Sequence, residues 1–145
     1  MKIAIGSDHA GFELKEQIKK HLLSEGYEVE DFGTHSPERA DYPIYAKLVG
    51  EAVVSKQYDF GVLCCGSAEG ITIACNKIKG IRCGIGYNDE VASLLRRHND
   101  ANVISFAGMF MSPEDACRRV DIFLSSSFEG GRHGNRVRLI SELEK

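Results

Sequence analysis

Five short apolar runs recur along this 145-residue chain, and a segment with helical periodicity follows each of them. The strand-type runs are Lys2–Gly6, Glu28–Phe32, Phe60–Cys65, Ile81–Ile85 and Asn102–Phe106. A first helix is expected from about Gly11 to Ser24, where Leu14, Ile18 and Leu22 recur every four residues and Lys15, Glu16, Lys19 and Lys20 take the other face. Gly26 fits the position that ends it. Pro43 suits the first turn of a second helix, with Tyr45, Leu48, Val49, Ala52 and Val53 as its apolar stripe. Ile71–Asn76 reads as a short third helix. Asn88 caps a fourth, with Asp89 and Glu90 in its first turn and Arg96, Arg97 and His98 in its last, as the helix dipole prefers. Ser112-Pro-Glu-Asp115 opens a fifth that runs to about Ser125. A last helix carries Val137, Ile140 and Leu143. Strands joined by crossover helices run parallel, because a tight turn cannot join a parallel pair. The pattern therefore predicts an α/β fold of three-layer, Rossmann-like type, with a five-stranded parallel sheet covered by helices on both faces. The more polar Glu28–Phe32 belongs nearer a sheet edge. No linker interrupts the alternation, so residues 1–145 are expected to form a single domain.

Bulk properties remove whole classes of function. A net charge of −3 gives no support to nucleic acid as a partner. The five cysteines (Cys64, Cys65, Cys75, Cys83 and Cys117) are odd in number and lack a C-x-x-C spacing. That argues against a disulfide framework and a zinc site, and for a reducing cytoplasm. The five histidines show no ligand spacing, so no metal is expected. No uncharged run approaches the roughly 20 residues that cross a bilayer. The amino terminus reaches Asp8 and His9 too soon for a signal sequence.

The stretch Phe60-Gly-Val-Leu-Cys-Cys-Gly-Ser-Ala-Glu-Gly70 carries the most chemistry. It is a strand that breaks into a small-residue turn, with a thiol at the break. In a parallel sheet this puts Cys65 at the carboxyl end of a strand beside the first N–H groups of a helix, which favour a thiolate. The alternative is a small apolar residue ending a buried strand. Cys64, next to it, points to the opposite face. Ligands of such sheets bind at the carboxyl ends of the strands. Gly6-Ser-Asp-His9, Cys65-Gly-Ser67 and His98-Asn99 are all expected on that one rim. Asp8 and His9 have the alternative roles of a helix cap and a solvated imidazole.

Two familiar loops are excluded. Gly6-Ser-Asp-His-Ala-Gly11 is not a dinucleotide fingerprint, because Asp8 stands where the second glycine must let a pyrophosphate approach. A C-x5-R phosphatase loop is excluded too, because Gly70 or Ile71 stands where its arginine would be. The second informative stretch is Phe128-Glu-Gly-Gly-Arg-His-Gly-Asn-Arg136. Arg132 and Arg136 are four apart and share a face if the helix has begun. Cations at a helix N-terminus run against the dipole, and a phosphate or carboxylate would satisfy them. A solvated basic turn is the alternative. Tyr42 is either a packing residue ahead of Pro43 or a polar contact in the site.

In this order the motifs resemble the type B ribose-5-phosphate isomerases and the related galactose-6-phosphate isomerase subunits. The resemblance spans essentially the whole chain: Gly6-Ser-Asp-His9, Asp41-Tyr-Pro43, Cys65-Gly-Ser67, Gly70-Ile71 with Ala74-Cys-Asn-Lys77, Gly80-Ile-Arg82, His98-Asn-Asp100 with Asn102-Val103, and Glu129-Gly-Gly-Arg-His133 with Arg136-Val137. It implies a cofactor-independent aldose–ketose isomerase of the pentose phosphate pathway that converts ribose 5-phosphate to ribulose 5-phosphate. By the same resemblance Cys65 is the base that moves a proton between C2 and C1 through a cis-enediolate. Ser67 shuttles protons between O1 and O2, the N–H groups around Gly66–Gly70 hold the enediolate oxygen, and His98 with Asp8 opens the sugar ring. His9, Arg132, His133 and Arg136 would hold the phosphate, and Tyr42 and Asn99 would line the sugar site. It also implies a homodimer with shared active sites that can pair into a tetramer, the C-terminal helix (about 133–145) contributing to dimer contacts.

The chain departs from the family pattern in two places. Gly66-Ser-Ala-Glu-Gly70 stands where Gly-Thr-Gly-x-Gly is usual, so Ala68 restricts a glycine backbone and Glu69 adds charge near the thiol. Met109 stands where ribose-phosphate members usually carry an arginine. The rivals these suggest are a six-carbon substrate, allose or galactose 6-phosphate, and a sugar-phosphate-binding relative without turnover.

Overall fold

The computed structural model describes residues 1–145. Five strands, β1 (Lys2–Ser7), β2 (Glu28–Asp31), β3 (Phe60–Cys65), β4 (Cys83–Ile85) and β5 (Val103–Ala107), form one parallel sheet in the order β2-β1-β3-β5-β4. The helices are α1 (Phe12–Ser24), α2 (Tyr42–Val54), α3 (Glu69–Cys75), α4 (Asp89–Arg97), α5 (Pro113–Ser125) and α6 (Arg132–Glu142). β2 lies at an edge, where the polar alternation of its residues leaves one side to water.

Adjacent strand residues point to opposite faces, which separates the interior into two cores. Ile3, Ile5, Val62, Cys64, Ile104 and Phe106 face one core with Leu14, Ile18 and Leu22 of α1 and with Val120, Phe123 and Leu124 of α5. Ala4, Leu63, Cys65 and Val103 face the other, with Ala46, Val49 and Val53 of α2 and Ile71 and Cys75 of α3. Each fully buried aliphatic side chain contributes on the order of 2 kcal/mol. Helix ends follow their caps: Asn88 accepts from the Val91 amide, Ser112 accepts from the Asp115 amide, and Gly26 takes φ +90 after α1.

Two expectations at the helix faces are corrected. Lys15 is not on the polar face of α1; it is fully buried, and its Nζ donates to both carboxylate oxygens of Asp31, at 2.9 and 2.8 Å. Residue 15 sits at the border of the apolar stripe, and periodicity cannot see a carboxylate waiting on β2. Leu48 is exposed, and α2 buries Ala46, Val49, Gly50 and Val53 instead. Gly50 belongs to that face because a Cβ there would stand 3.1 Å from Ile78.

α6 enters neither core, and its one buried residue is His133. Leu139, Ile140 and Leu143 along it are exposed. No helix is long and apolar enough to cross a membrane.

Candidate active site

The carboxyl ends of β1 and β3, with the turn after β5, surround a cavity of about 570 Å³. Asp8 and His9 come from the end of β1, Cys65, Gly66, Ser67 and Gly70 from the thiol turn, and Tyr42 from the start of α2. The structure thus brings together seven of the residues expected from sequence. A second cavity, about 520 Å³, lies between α6 and β4 and is lined by Ile81, Leu95, Ile140 and Leu143 with Asn99. Of its titratable residues, Arg82 is bonded to the Asn99 and Asp100 carbonyls and Glu144 to the Gly80 amide, leaving Cys83, so the chemistry points to the thiol cavity.

Cys65 and Cys64 separate as strand geometry requires. Cys64 is in the α1–α5 core, where burial pushes its thiol far above the ordinary range, whereas Cys65 reaches the cavity. Beyond Cys65 the chain turns through Ala68 at φ +69 into α3. The amides of Gly66, Ser67, Ala68 and Gly70 are used by no acceptor in the chain, while the Glu69 amide donates to Ser67 Oγ at 3.2 Å. α3 has only seven residues, so the separate N–H groups matter more here than a long macrodipole. Glu69 is exposed and does not line the cavity.

Neighbouring elements fix the rest of this wall. Thr72 of α3 is hydrogen-bonded to Ser105 of β5, Oγ1 to Oγ at 2.5 Å. The Tyr42 ring lies against the Cα of Gly70: a Cβ there would come 2.6 Å from Tyr42 Cζ. Asp8 is 5% exposed, and its Oδ1 accepts from the Gly11 amide at 3.0 Å. It therefore performs the turn-capping role and still reaches the cavity. His9 Nδ1 lies 3.1 Å from the Ala40 amide, which donates to it in the neutral ring, and 3.0 Å from the Ala40 carbonyl, which accepts from the imidazolium. In either state Nε2 has no partner in the chain.

His98 and Asn99 are not on the rim that holds Cys65. α4 starts beyond the carboxyl end of β4 and runs back along the sheet, so its C-cap, His98, lies at the amino end of β5. The order strand–helix–parallel strand requires that reversal, which makes the single-rim expectation a misreading of topology. There the His98 ring stacks on His133, centroids 4.0 Å apart, with Nε2 3.5 Å from Glu129 Oε1. Arg97 Nε donates to Glu129 Oε2 at 2.7 Å, and this bond holds the Glu129 carboxyl below its usual range. Arg132 and Arg136 fall in the first turns of α6, on one side of the helix, as the spacing expected. Burial and the positive charge of His98, Arg132 and Arg136 lower the pKa of His133, which favours its neutral ring.

Two trios have ligand atoms within 4.8 Å of one another, His98–Glu129–His133 and His21–Glu25–Asp121. In each trio two members stand four apart, Glu129 with His133 and His21 with Glu25, while the third is distant in sequence, so spacing alone gives only part of either. Arg97, Arg132 and Arg136 set positive charge around the first. In the second, His21 Nε2 is hydrogen-bonded to Asp121 Oδ2 at 2.8 Å and lies 3.0 Å from Glu25 Oε1.

Arg39 and Met109 also line the thiol cavity, with Asp41, Ala10 and Ala40. Arg39 belonged to no motif; its one signal is the position two residues before Asp41-Tyr-Pro43.

Comparison with known proteins matches these features. A family profile described as Ribose/Galactose Isomerase matches residues 3–140. Ribose-5-phosphate isomerase B of Escherichia coli (strain K12) is 46% identical over 144 residues, 99% of this chain and 97% of that protein. The ribose 5-phosphate isomerase crystal structure from Thermotoga maritima superposes with a TM-score of 0.96 at 50% identity, covering 97% of both chains. Ribose-5-phosphate isomerase B of Mycoplasma genitalium, solved with bound ribulose-5-phosphate, superposes with a TM-score of 0.94 at 36% identity, covering 99% of this chain and 95% of that one.

Proposed function

Because the chain belongs to the ribose/galactose isomerase family, matched over residues 3–140, we propose that it is an aldose–ketose isomerase of sugar phosphates that converts ribose 5-phosphate to ribulose 5-phosphate. The observation that carries this reading is the Cys65 thiol in a cavity whose turn presents four unused backbone amides. The C2 proton of an aldose is weakly acidic, so its removal needs a base and donors already aimed at the oxygen that becomes negative. Cys65 takes the C2 proton of the open-chain aldose and returns it to C1. Ser67 transfers the proton between O2 and O1, and the amides of Gly66–Gly70 stabilise the cis-enediolate between the two steps. Tyr42 lines the sugar, and His9 Nε2 contacts the phosphate.

The remaining groups come from a second copy. His98 and Asn99, with Arg132, His133 and Arg136, lie at the opposite end of the sheet from Cys65. A homodimer in which each copy's thiol cavity meets the other's basic end makes two complete sites. His98 then opens the ring with Asp8 across the interface, and Arg132, His133 and Arg136 hold the phosphate. The exposed Leu139, Ile140 and Leu143 on α6 supply apolar surface for that contact and for further pairing into a tetramer. Five cysteines without a disulfide suit a reducing cytoplasm, and the reaction suits the pentose phosphate pathway.

Incubation with ribose 5-phosphate in heavy water tests the chemistry. Ribulose 5-phosphate carrying deuterium at C1, at least in part, is the expected result. A Cys65→Ala protein with full activity would remove the thiol as base. Met109 favours a second reading, a six-carbon substrate, because its side chain is 69% exposed and brings no charge to the cavity. Comparing kcat/KM for ribose, allose and galactose 6-phosphates separates the two.

A further inference from the structure

Nine arginines stand in the chain, and six of them are engaged within it. Arg82, Arg96, Arg97, Arg118, Arg119 and Arg138 each hydrogen-bond a carboxylate, a carbonyl or an amide oxygen. The three without a partner in the chain are Arg132, Arg136 and Arg39. The first two are the proposed phosphate arginines at the basic end. Arg39 stands apart from them, in the wall of the thiol cavity.

Its setting there is specific. Arg39 is the one permanent cation of a cavity that also holds Asp8, Asp41 and Cys65. Asp8 Oδ1 is engaged by the Gly11 amide, and neither carboxylate pairs with the guanidinium. The backbone beside it is anchored, because Ala40 holds His9 Nδ1 through its amide and its carbonyl. Arg39 is therefore carried by a fixed strut next to the imidazole whose Nε2 is free. A dianionic ligand entering a cavity with two carboxylates and a thiol needs a compensating cation on the same wall, and a guanidinium offers a phosphate two parallel N–H donors.

We propose that Arg39 is a substrate-binding residue that grips the phosphate, alongside His9, from the same copy that supplies Cys65. The phosphate is then held from both copies: by Arg39 and His9 on the thiol side, and by Arg132, His133 and Arg136 on the other. This rests on the sugar-phosphate reading of the site, but its test does not depend on turnover.

The probe is inorganic phosphate, read as protection of Cys65 against iodoacetamide in the wild-type protein and in Arg39→Gln and Arg39→Lys. Loss of a charge-assisted hydrogen bond predicts that Arg39→Gln needs roughly 10-fold more phosphate for half-protection. Arg39→Lys should recover part of that loss. Both variants should keep the wild-type Tm, since the side chain is exposed and has no partner to lose. With ribose 5-phosphate, Arg39→Gln should raise KM by a similar factor and leave kcat within about threefold, the signature of lost uniform binding. Half-protection and KM both unchanged in Arg39→Gln would overturn the proposal, as would a wild-type protein that phosphate fails to protect. A wild-type protein that turns over no sugar phosphate, yet whose protection depends on Arg39, would overturn the isomerase reading and leave this inference standing.

Discussion

Ala68 shows how a single residue tests the thiol turn. It is fully buried at φ +69, a left-handed conformation that costs an ordinary residue about 1–2 kcal/mol. Glycine would relieve that strain, but it would lose a buried methyl worth about 0.8 kcal/mol and add roughly 0.5–1 kcal/mol of backbone entropy to the unfolded chain. The terms nearly cancel, so Ala68→Gly should leave the urea midpoint almost unchanged. Ala68→Val meets the same φ with a branched side chain and no room around it. It should lower stability by about 2 kcal/mol or more in the same titration. A marked gain in Ala68→Gly would show that the turn is more strained than this balance allows. Glu69, next to Ala68, starts α3 facing solvent and does not line the cavity.

At the scale of elements, the seam between α1 and β2 depends on an ion pair. Burial tends to raise the Asp31 pKa, but hydrogen bonds from Lys15, Lys19 and the Gly33 amide outweigh it, and the carboxyl titrates below its usual value. A folded pKa below the unfolded one, about 3.9, gives stability that is fully present above that pH and lost as pH falls through the lower folded value. The urea midpoint should therefore drop below about pH 4, with a smaller acid-side drop in Asp31→Asn. At pH 7 the same variant should lose roughly 3 kcal/mol, because Lys15 is left buried without its counter-charge. If the acid-side drop is as large in Asp31→Asn as in the wild type, other carboxylates dominate. This pair marks a limit of reading from sequence. Leu14, Ile18 and Leu22 declare the buried face of α1 by period alone, and Asn88, Ser112 and Gly26 declare helix ends by local chemistry. Lys15 and Asp31 declare nothing, because their pairing exists only after α1 has folded onto the sheet. The thiol turn was legible because a strand, a thiol and small residues adjoin in sequence. Arg39 was not, because only the cavity wall shows that it lacks a partner.

On the scale of the whole molecule, the decisive fact is that the two informative stretches end up on opposite rims. The alternation of strand and helix already contained it, since a helix between parallel strands must return its chain to the amino end. α4 has nine residues, so it carries His98 about 13 Å back along the sheet from its own start. Within one copy His98 therefore cannot meet Asp8, nor can Arg132 and Arg136 reach a phosphate whose sugar lies on Cys65. The proposed homodimer would bring them together twice, since a symmetric interface repeats each contact. A mixing experiment tests this without needing a structure of the assembly. Cys65→Ala removes the thiol half of both sites in a homodimer, and His98→Asn removes the ring-opening half. If each site takes one half from each copy, a mixed dimer has one site with both changes and one with neither. Random exchange of equal amounts makes half the dimers mixed, so activity should recover to about a quarter of the wild-type value. Were each site built within one copy, every site in the mixture would still carry one of the changes and no activity would return.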